Sequence, residues 1–408
     1  MIPYFISAHG AIHALGKNTS TICDNLLTLQ AQHSKEDILN TLKKDYISYY
    51  HQYPVYYVRD PLPEINQTHW QYRCRNNQLL LAAYHCIEPR VEAIKRQVGA
   101  HRISIVLGSS TSGIAATEQA FAYYQAHQSF PKDYHFYQHE LGSVSQFLAR
   151  YAHITGHAYT ISTACSSSAK AFLGAYWLLK HNLADACIVG GVDSLCELTL
   201  RGFESLGLLS TQISNPMSKN RCGINIGEGA ALFILEKPDL GIVPPEHNLS
   251  LLGVGESSDA YHMSSPDPQG LGAQAAIKQA LEQSQCTPQD IDYIHLHGTG
   301  TIHNDAAESQ AVYAVFGDSA PCSSTKPMTG HTLGAAGALG VSMCYISLTS
   351  KKHNLPIHLY DQQKDTTLSS IKLIESNTCA YHCSPKRALS QAFAFGGSNC
   401  AVVIGTPI

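Results

Sequence analysis

Residues 160–169 read Thr-Ile-Ser-Thr-Ala-Cys-Ser-Ser-Ser-Ala, a short apolar strand that runs into a helix through a turn of small residues. Cys165 stands at that turn. A helix begins with backbone N–H groups that lack intrahelical partners and with a partial positive charge of about +0.5. Both features favour a thiolate, which is the reactive form of cysteine. The sequence therefore makes Cys165 a candidate nucleophile, against the alternative that it is one buried thiol among 13.

Strands and helices alternate on both sides of this stretch. Strands are predicted at residues 3–7, 103–107, 159–164, 186–191, 249–255, 293–296, 321–325, 388–395 and 400–405. Helices are predicted at residues 18–32, 76–98, 166–181, 270–283, 305–316 and 333–350. Residues 33–73 are polar and rich in tyrosine, and we expect an irregular flap there. Alternating strands and helices predict an α/β fold with mainly buried sheets.

The chain has 408 residues, which is long for one ordinary core and predicts two lobes. The second half repeats the element order of the first, although the two halves do not share residue identities. We therefore expect two similar units, residues 1–240 and residues 241–408, with the boundary in the region of residues 237–249.

The composition excludes several classes of protein. Only 14% of the residues are charged, and the net charge is -4 with no run of lysine or arginine, so a nucleic-acid partner is not expected. No apolar run is long enough to span a bilayer, and residues 1–7 lack the features of a signal peptide. Thirteen scattered cysteines, an odd number, are typical of reduced thiols in the cytoplasm. Cys379 and Cys383 flank His382, but their spacing does not match a zinc site, so no metal is expected.

Two histidines stand in glycine-rich turns at predicted element ends. His297 directly follows a strand, and loops at the carboxyl ends of strands carry ligands in α/β sheets. His331 precedes a helix, whose N-terminal dipole disfavours an imidazolium and keeps the ring neutral. A neutral ring can donate a hydrogen bond to a developing oxyanion. Taken alone, either residue could equally be an ordinary loop histidine. No nucleotide-binding glycine motif occurs in the required context.

Four strings in one order resemble the active-site motifs of a known family. They are TACSSSA at 163–169, HGTGT at 297–301, KPMTGHTLGAAG at 326–337 and AFGGSN at 394–399. This set is similar to that of the β-ketoacyl-acyl-carrier-protein synthases in the thiolase-like superfamily. The resemblance covers most of the chain and is weakest in residues 33–73. It implies a thiolase-like fold, in which two similar halves form a five-layer αβαβα arrangement.

The resemblance also implies roles for the residues at the motif positions. Cys165 matches the nucleophile that becomes acylated, and His297 and His331 match the pair that polarises a malonyl thioester. Lys326 matches the lysine that orients His331, and Glu308 matches the acidic residue of the network beside it.

Further residues are implied around these. Asp305 is expected to support the site, and Thr299 and Thr301 match residues that bind the phosphopantetheine arm. Phe395 matches a gating phenylalanine whose backbone N–H joins that of Cys165 in an oxyanion hole, and Phe393 is expected to contact substrate. Two backbone donors are what a tetrahedral oxyanion needs.

The implied reaction is a decarboxylative Claisen condensation. The nucleophile takes an acyl group from a carrier-protein thioester, and a malonyl thioester then loses CO₂ and attacks that acyl group. Loss of CO₂ drives bond formation, so no metal or organic cofactor is expected. The implied partners are an acyl carrier protein and a second subunit, in either a homodimer or a heterodimer with a chain-length factor.

Related classes of enzyme fit these residues less well. A thiolase would use a second cysteine, for which Cys400 is displaced, and a type III synthase would have asparagine in place of one histidine, against His331. A non-catalytic partner subunit would lack the nucleophile, against Cys165. A carrier-binding scaffold that retains the motifs without doing chemistry remains an alternative.

Several positions depart from the family pattern. Ser218 and Cys222 stand where acidic residues are usual, and Ile224 stands where an aromatic residue is usual. Thr111 stands near a position where elongation enzymes often have isoleucine in the acyl tunnel, so we expect a pocket for a less saturated or more polar chain. The strings RNNQLLLAA at 75–83, STSGI at 110–114 and GINIGEGAALF at 223–233 are similar to ketosynthases of aryl polyene clusters.

Overall fold

The computed structural model describes residues 3–32, 34–240, 248–350, 355–375 and 385–407. Cys379, His382 and Cys383 lie outside the described residues, as does most of the region in which the boundary between the two halves is predicted. That boundary stays a prediction.

The described residues form eleven α-helices and fourteen β-strands. The helices are α1 (Thr19–Gln30), α2 (Lys35–Thr41), α3 (Arg75–Val98), α4 (Ile114–His127), α5 (Ser143–Tyr151), α6 (Ser167–Lys180), α7 (Glu197–Ser205), α8 (Leu271–Ser284), α9 (Ile302–Phe316), α10 (Lys326–Thr329) and α11 (Ala336–Thr349). The strands are β1 (Tyr4–His13), β2 (Ile47–Tyr50), β3 (Tyr53–Tyr56), β4 (Ile103–Gly108), β5 (Ala158–Ile161), β6 (Ala186–Asp193), β7 (Ile226–Gly227), β8 (Gly229–Glu236), β9 (Ser250–Ser258), β10 (Tyr293–His295), β11 (Pro321–Ser323), β12 (Lys372–Leu373), β13 (Arg387–Ala394) and β14 (Ser398–Gly405).

Eleven strands hydrogen-bond in the order β12-β11-β10-β13-β14-β9-β1-β8-β6-β4-β5. Strands from the first 236 residues occupy one side of this order, and strands from residue 250 onward occupy the other. The two sides meet where Tyr4 and Phe5 of β1 pair with Leu251 and Ser250 of β9. Because this junction is only two residue pairs long, packing between the layers must hold most of the two sides together.

The layers are stacked in the order helix, sheet, helix, sheet, helix. Helices α3 and α5 cover the outer face of the β1–β5 side, and α8 and α9 cover the outer face of the β9–β12 side. Helices α6 and α11 lie between the two sides of the sheet, which form two separate layers, and they belong to the largest hydrophobic cluster. The predicted five-layer α/β arrangement is confirmed.

Helices α6 and α11 approach each other very closely. A Cβ added to Gly337 would lie 2.6 Å from the backbone nitrogen of Ala169, and the Ser168 hydroxyl oxygen accepts a 2.8 Å hydrogen bond from the backbone N–H of Ala338. Small residues at the crossing therefore set the distance between the helices, since interiors are close-packed and any added volume must displace backbone.

The expectation of an irregular flap at residues 33–73 is wrong. The segment contains helix α2, a π-helical turn at Leu42–Tyr46 and an antiparallel hairpin of β2 and β3. Strand β3 pairs in parallel with β7, and the Tyr56 hydroxyl donates to the carbonyl of Pro327. Partners more than 160 residues away complete this segment, so its local polarity did not indicate its structure.

Seven further elements were not predicted from the sequence: helices α4, α5, α7 and α10 and strands β7, β8 and β12. Strand β8 lies between β1 and β6 and is buried along its whole length. Its first residues, Gly229 to Ala231, are small and do not by themselves predict a strand. Small residues are also suited to a central strand whose two faces are both covered by helices. That burial depends on the tertiary fold, so the local sequence did not indicate it.

No helix in the described part of the chain is long and apolar enough to cross a membrane.

The close crossing predicts a difference between two glycine-to-alanine substitutions. Gly337→Ala forces Cβ against the backbone of α6 and should lower stability by about 1–3 kcal/mol. Gly202→Ala is the matched control, because Gly202 is an exposed position in α7 with open space around its Cβ site. That control should gain about 0.5–1 kcal/mol from the better helix propensity of alanine. Melting temperatures measured side by side test this, and equal values for the two variants would contradict it.

Candidate active site

Cys165 lies at a strained turn between β5 and α6. The preceding residue, Ala164, has φ +50°, a left-handed conformation that is unusual for a residue other than glycine. The Ser167 hydroxyl holds the turn, because it accepts from the backbone N–H of Thr163 at 2.9 Å and donates to the carbonyl of Ala164 at 2.5 Å. The turn leaves the Cys165 side chain buried except for the part that lines a cleft.

Burial raises the pKa of the Cys165 thiol to about 11. The charge of Lys326 and hydrogen bonds from the backbone amides of Phe395 and Cys165 lower this pKa, but their effect is smaller. The backbone amides favour a thiolate, in the predicted direction, but desolvation outweighs them and keeps the thiol protonated at neutral pH. The two amides nevertheless converge on the sulfur, as the expected oxyanion hole requires.

His331 is the nearest titratable group to the thiol. Its Nε2 lies 3.0 Å from the Cys165 Sγ. The backbone of His331 is held on both sides, with its N–H donating to the carbonyl of Asn225 at 2.7 Å and its carbonyl accepting from Gly227 at 3.0 Å. Burial, and then the nearby charge of Lys326, hold the pKa of His331 well below its ordinary value. The prediction of a neutral ring is confirmed, with burial as the main cause.

His297 stands beside His331 with the two rings in an edge-to-face arrangement, 5.2 Å between centroids. Burial and the charge of Lys326 also keep the pKa of His297 well below its ordinary value. The Cys165 Sγ and one ring nitrogen of each histidine all lie within 4.8 Å of one another. The Phe393 ring packs at 6.3 Å from the His297 ring on the other side.

Glu308 and Lys326 fix the backbone of His297. The Glu308 carboxylate accepts from the backbone N–H groups of His297 and Gly298, both at 2.6 Å, and Lys326 Nζ donates to the carbonyl of His297. The hydrogen bond of Lys326 thus goes to His297, and the expectation that it orients His331 stays a prediction. Burial lowers the pKa of Lys326 and raises that of Glu308.

The other predicted residues lie around the same cleft. Asp305 accepts from the backbone N–H of Met217 at 2.8 Å and of Gly300 at 3.2 Å, and so supports the loop that carries Thr299 and Thr301. The hydroxyl oxygens of these two threonines are 3.0 Å apart, and both residues line the cleft.

The cleft has a volume of about 240 Å³. Its inner part is lined by Cys165, both histidines and Phe393, and its walls include Phe395, whose ring packs at 5.6 Å from that of Phe203. A buried thiol, two neutral imidazoles and two backbone donors at the end of a mostly apolar cleft can transfer and condense acyl groups, because each charge that develops on oxygen meets a preorganised N–H.

Comparisons with known proteins agree with this geometry. Residues 75–239 match the model of the Beta-ketoacyl synthase, N-terminal domain, and residues 250–359 match that of the Beta-ketoacyl synthase, C-terminal domain. The chain is also 40% identical, with a TM-score of 0.86, to a chain of the solved complex of a ketosynthase (ApeO) with its chain length factor (ApeC) from Xenorhabdus doucetiae, over 99% of this chain and 98% of that one. This chain belongs to the β-ketoacyl synthase family.

Curated relatives match over a shorter span. The chain is 33% identical to 3-oxoacyl-[acyl-carrier-protein] synthase 2 of Coxiella burnetii over 265 residues, or 62% of each chain. It is 33% identical to the enzyme of the same name from Rhizobium meliloti over 267 residues, or 62% of this chain and 61% of the relative. The matched region thus spans about three fifths of these relatives.

The side chains of Cys165, His297 and His331 lie close enough together to be possible metal ligands. An ion bound there would occupy the thiol and both rings, which the family chemistry needs free. The expectation that the site works without a metal stays a prediction.

Asp193 is a residue of the site that the sequence analysis missed. It ends β6, is fully buried, and accepts hydrogen bonds from the backbone N–H and hydroxyl groups of Ser110 and Thr111, from the Ser109 hydroxyl and from the backbone N–H of Ala335. It thereby ties the loop after β4 to the segment that follows His331. Asp193 follows a predicted buried strand, and the carboxyl ends of such strands carry functional residues, so the sequence did hold a signal for its role.

Thr111 does not line the cleft, and its hydroxyl donates to Asp193 at 2.8 Å. The polar side chain is thus satisfied inside the fold. The expectation that Thr111 shapes the acyl pocket stays a prediction.

The raised pKa of Cys165 predicts a pH-dependent alkylation rate. Because the thiol is protonated below its pKa of about 11, the thiolate fraction should rise about tenfold for each pH unit between pH 7 and pH 9. The modification of the Cys165 peptide by iodoacetamide, followed by mass spectrometry, measures this. Cys165→Ala should lose only that peptide from the modified set. A rate that levels off below pH 9 would show that the thiol ionises near neutrality.

Asp193→Asn should destabilise the protein by about 2–4 kcal/mol, because the new amide group faces N–H and O–H donors that an oxygen formerly accepted. Asp45→Asn is the control, since Asp45 is exposed. Denaturant unfolding compares the two, and a midpoint of the Asp193 variant equal to that of the control would contradict the assignment.

Proposed function

We propose that this chain is a β-ketoacyl-acyl-carrier-protein synthase that joins malonyl and acyl units by decarboxylative Claisen condensation. The observation that carries the proposal is the 3.0 Å distance between Cys165 Sγ and Nε2 of His331, with His297 beside them and both rings neutral.

In the first step, Cys165 takes an acyl group from a thioester. The thiol proton passes to His331 Nε2 as the sulfur attacks the carbonyl carbon, and the oxyanion accepts from the backbone N–H groups of Cys165 and Phe395. The carbon–sulfur bond to the donor then breaks, and the leaving thiolate takes the proton from His331. Thr299 and Thr301 line the path along which the donor's arm enters.

In the second step, a malonyl thioester loses CO₂, and the electron pair of the broken carbon–carbon bond moves onto the thioester oxygen. The N–H groups of His297 and His331 stabilise this enolate. The carbanion attacks the acyl group, and Cys165 leaves as a thiolate that takes up one proton. Each turnover thus consumes one proton, in keeping with the loss of a carboxylate as neutral CO₂.

Lys326, Glu308 and Asp305 serve as positioning residues in this mechanism. Glu308 accepts from the backbone N–H of His297, and Lys326 donates to its carbonyl. Burial, together with the positive charge of Lys326, lowers the pKa of both imidazoles and keeps them neutral. Neutral rings are required, because an imidazolium could not accept the thiol proton in the first step.

We propose an acyl carrier protein as the source of both thioesters, in agreement with the names of the curated relatives. A dimer, either of two copies or of this chain with a chain-length factor, agrees with the ketosynthase complex from Xenorhabdus doucetiae. We also propose residues 1–240 and 241–408 as the two halves, and a cytoplasmic location, since no disulfide joins the described cysteines. Elongation of fatty acids or of aryl polyenes is the process in which such an enzyme acts.

A non-catalytic partner subunit is the alternative function. Such a subunit needs no nucleophile, whereas Cys165 is present here at a strained turn with two amides directed at its sulfur. Strained backbone conformations cluster at active sites, so the left-handed conformation of Ala164 favours a reactive Cys165.

The two steps predict separable effects of substitution. His297→Ala should lower the rate of CO₂ release from malonyl carrier protein by about 10²–10³-fold, because one enolate donor is lost. It should leave acylation of Cys165 largely intact, since His331 makes the contact with the thiol. Cys165→Ala should abolish acylation.

Mass spectrometry of the protein incubated with a panel of acyl carrier proteins measures acylation, and CO₂ release from malonyl carrier protein measures decarboxylation. Saturated chains accepted at every length indicate fatty acid elongation, and selective aryl or polyenoyl loading indicates the aryl polyene pathway. No acylation by any donor, alone or with a chain-length factor, would contradict the proposed function.

A further inference from the structure

Three segments from distant parts of the chain form the mouth of the cleft. They are Gly207 and Leu208 just after α7, the loop at residues 264–266, and the start of α9 at residues 301–304. Each segment contains, or comes directly after, one large apolar side chain that is exposed to solvent. Leu206 is 56% exposed, Met263 is 82% exposed and Ile302 is 61% exposed. We call these three residues the apolar rim.

The backbone under the apolar rim is held in place. The carbonyl of Met263 accepts from the N–H of Gly396 at 2.9 Å, and the carbonyl of Ile302 accepts from the guanidinium of Arg221 at 3.4 Å. Leu206 follows the last residue of α7 as its C-cap, with its N–H donating to the carbonyl of Gly202 at 3.3 Å. Three exposed apolar groups on a rigid frame are typical of a contact surface for another macromolecule.

The charge around the mouth limits what can bind there. No lysine or arginine occurs among the described residues that line the cleft, and the carboxylate of Asp259 already accepts from Asn399 at 2.6 Å and from the N–H of Asp267 at 3.1 Å. Arg221, next to the lining residue Cys222, is buried in an ion pair with Asp365. The mouth therefore offers apolar contact and no free cation in its lining.

The depth of the cleft identifies the occupant. Cys165 is only 7% exposed at its inner end, so a thioester must reach it on an arm while the body that carries the arm stays outside. That body rests on whatever surrounds the mouth. We propose that the apolar rim is the docking surface for the carrier protein, and that it binds an apolar patch of the carrier around the point where the arm is attached.

This inference rests on the proposed function. Kinetics with two kinds of substrate distinguish a failure of the docking proposal from a failure of the proposed function. The double variant Leu206→Ser/Met263→Ser removes two rim side chains and leaves the cleft lining unchanged. The matched control is Leu183→Ser, because Leu183 is 49% exposed and precedes β6, at the end of the strand opposite to Asp193. Each protein is assayed with acyl and malonyl groups on the carrier protein and on free pantetheine.

We expect the double variant to raise the KM for carrier-bound substrates on the order of tenfold, since two exposed apolar contacts are lost. Its kinetics with pantetheine thioesters should equal those of the wild type, and the control should match the wild type with both substrates. Because apolar contact is insensitive to ionic screening, the KM of the wild type for the carrier should change less than about twofold between 50 and 500 mM NaCl.

The outcomes distinguish the two proposals. Failure of the wild type to turn over either kind of thioester would overturn the proposed function. Turnover of both, with an unchanged carrier KM in the double variant, would overturn the rim as the docking surface. An equal rise of the carrier KM in the Leu183→Ser control would also overturn the rim proposal. So would a wild-type carrier KM that increases steeply with salt, because it would show that ion pairs bind the carrier.

Discussion

The close crossing of α6 and α11 is the constraint on which the site depends. Cys165 comes just before α6, and His331 comes five residues before α11, so the distance between the helices sets the distance between thiol and imidazole. Gly337 against Ala169, and the Ser168 hydroxyl against the N–H of Ala338, bring the helices together and leave the reacting atoms 3.0 Å apart. A larger residue at the crossing would move the two reactive groups apart without touching either of them.

The same constraint explains why the reactive residues could be predicted from the sequence. The small residues that permit the crossing follow Cys165 and His331 within about seven residues, so the same short strings carry the packing and the chemistry. Asp193 is different, because its donors come from residues 109–111 and from Ala335 and meet only in the folded chain. The hairpin of β2 and β3 was missed for a similar reason, since β7 and Pro327 complete it.

The pKa values of Cys165 and His331 depend on burial as well as on nearby sequence, so local sequence predicts protonation states only in part. The dipole at the start of α6 acts in the predicted direction, since backbone amides lower the pKa of Cys165. The loss of water around the thiol raises that pKa by more, and desolvation depends on every layer above the site. For His331 the local and the global effects have the same sign, because burial and positive charge both disfavour an imidazolium. The local sequence therefore indicates the protonation state of the histidine, whereas for the cysteine it indicates only the smaller of two opposing effects on the pKa.

A thiol with a high pKa gives His331 two opposite tasks in the proposed mechanism. In the first step its Nε2 must accept a proton from Cys165, and in the second the same nitrogen must donate a hydrogen bond to an enolate. One fixed tautomer cannot do both. The Nδ1 of His331 is buried and has no hydrogen-bond partner among the described residues, so no neighbour fixes a proton on Nδ1 or keeps it off. A histidine locked by a carboxylate, as in a hydrolase triad, would suit only the first step. The unpartnered nitrogen is thus consistent with a site that performs both acyl transfer and decarboxylation with one set of side chains.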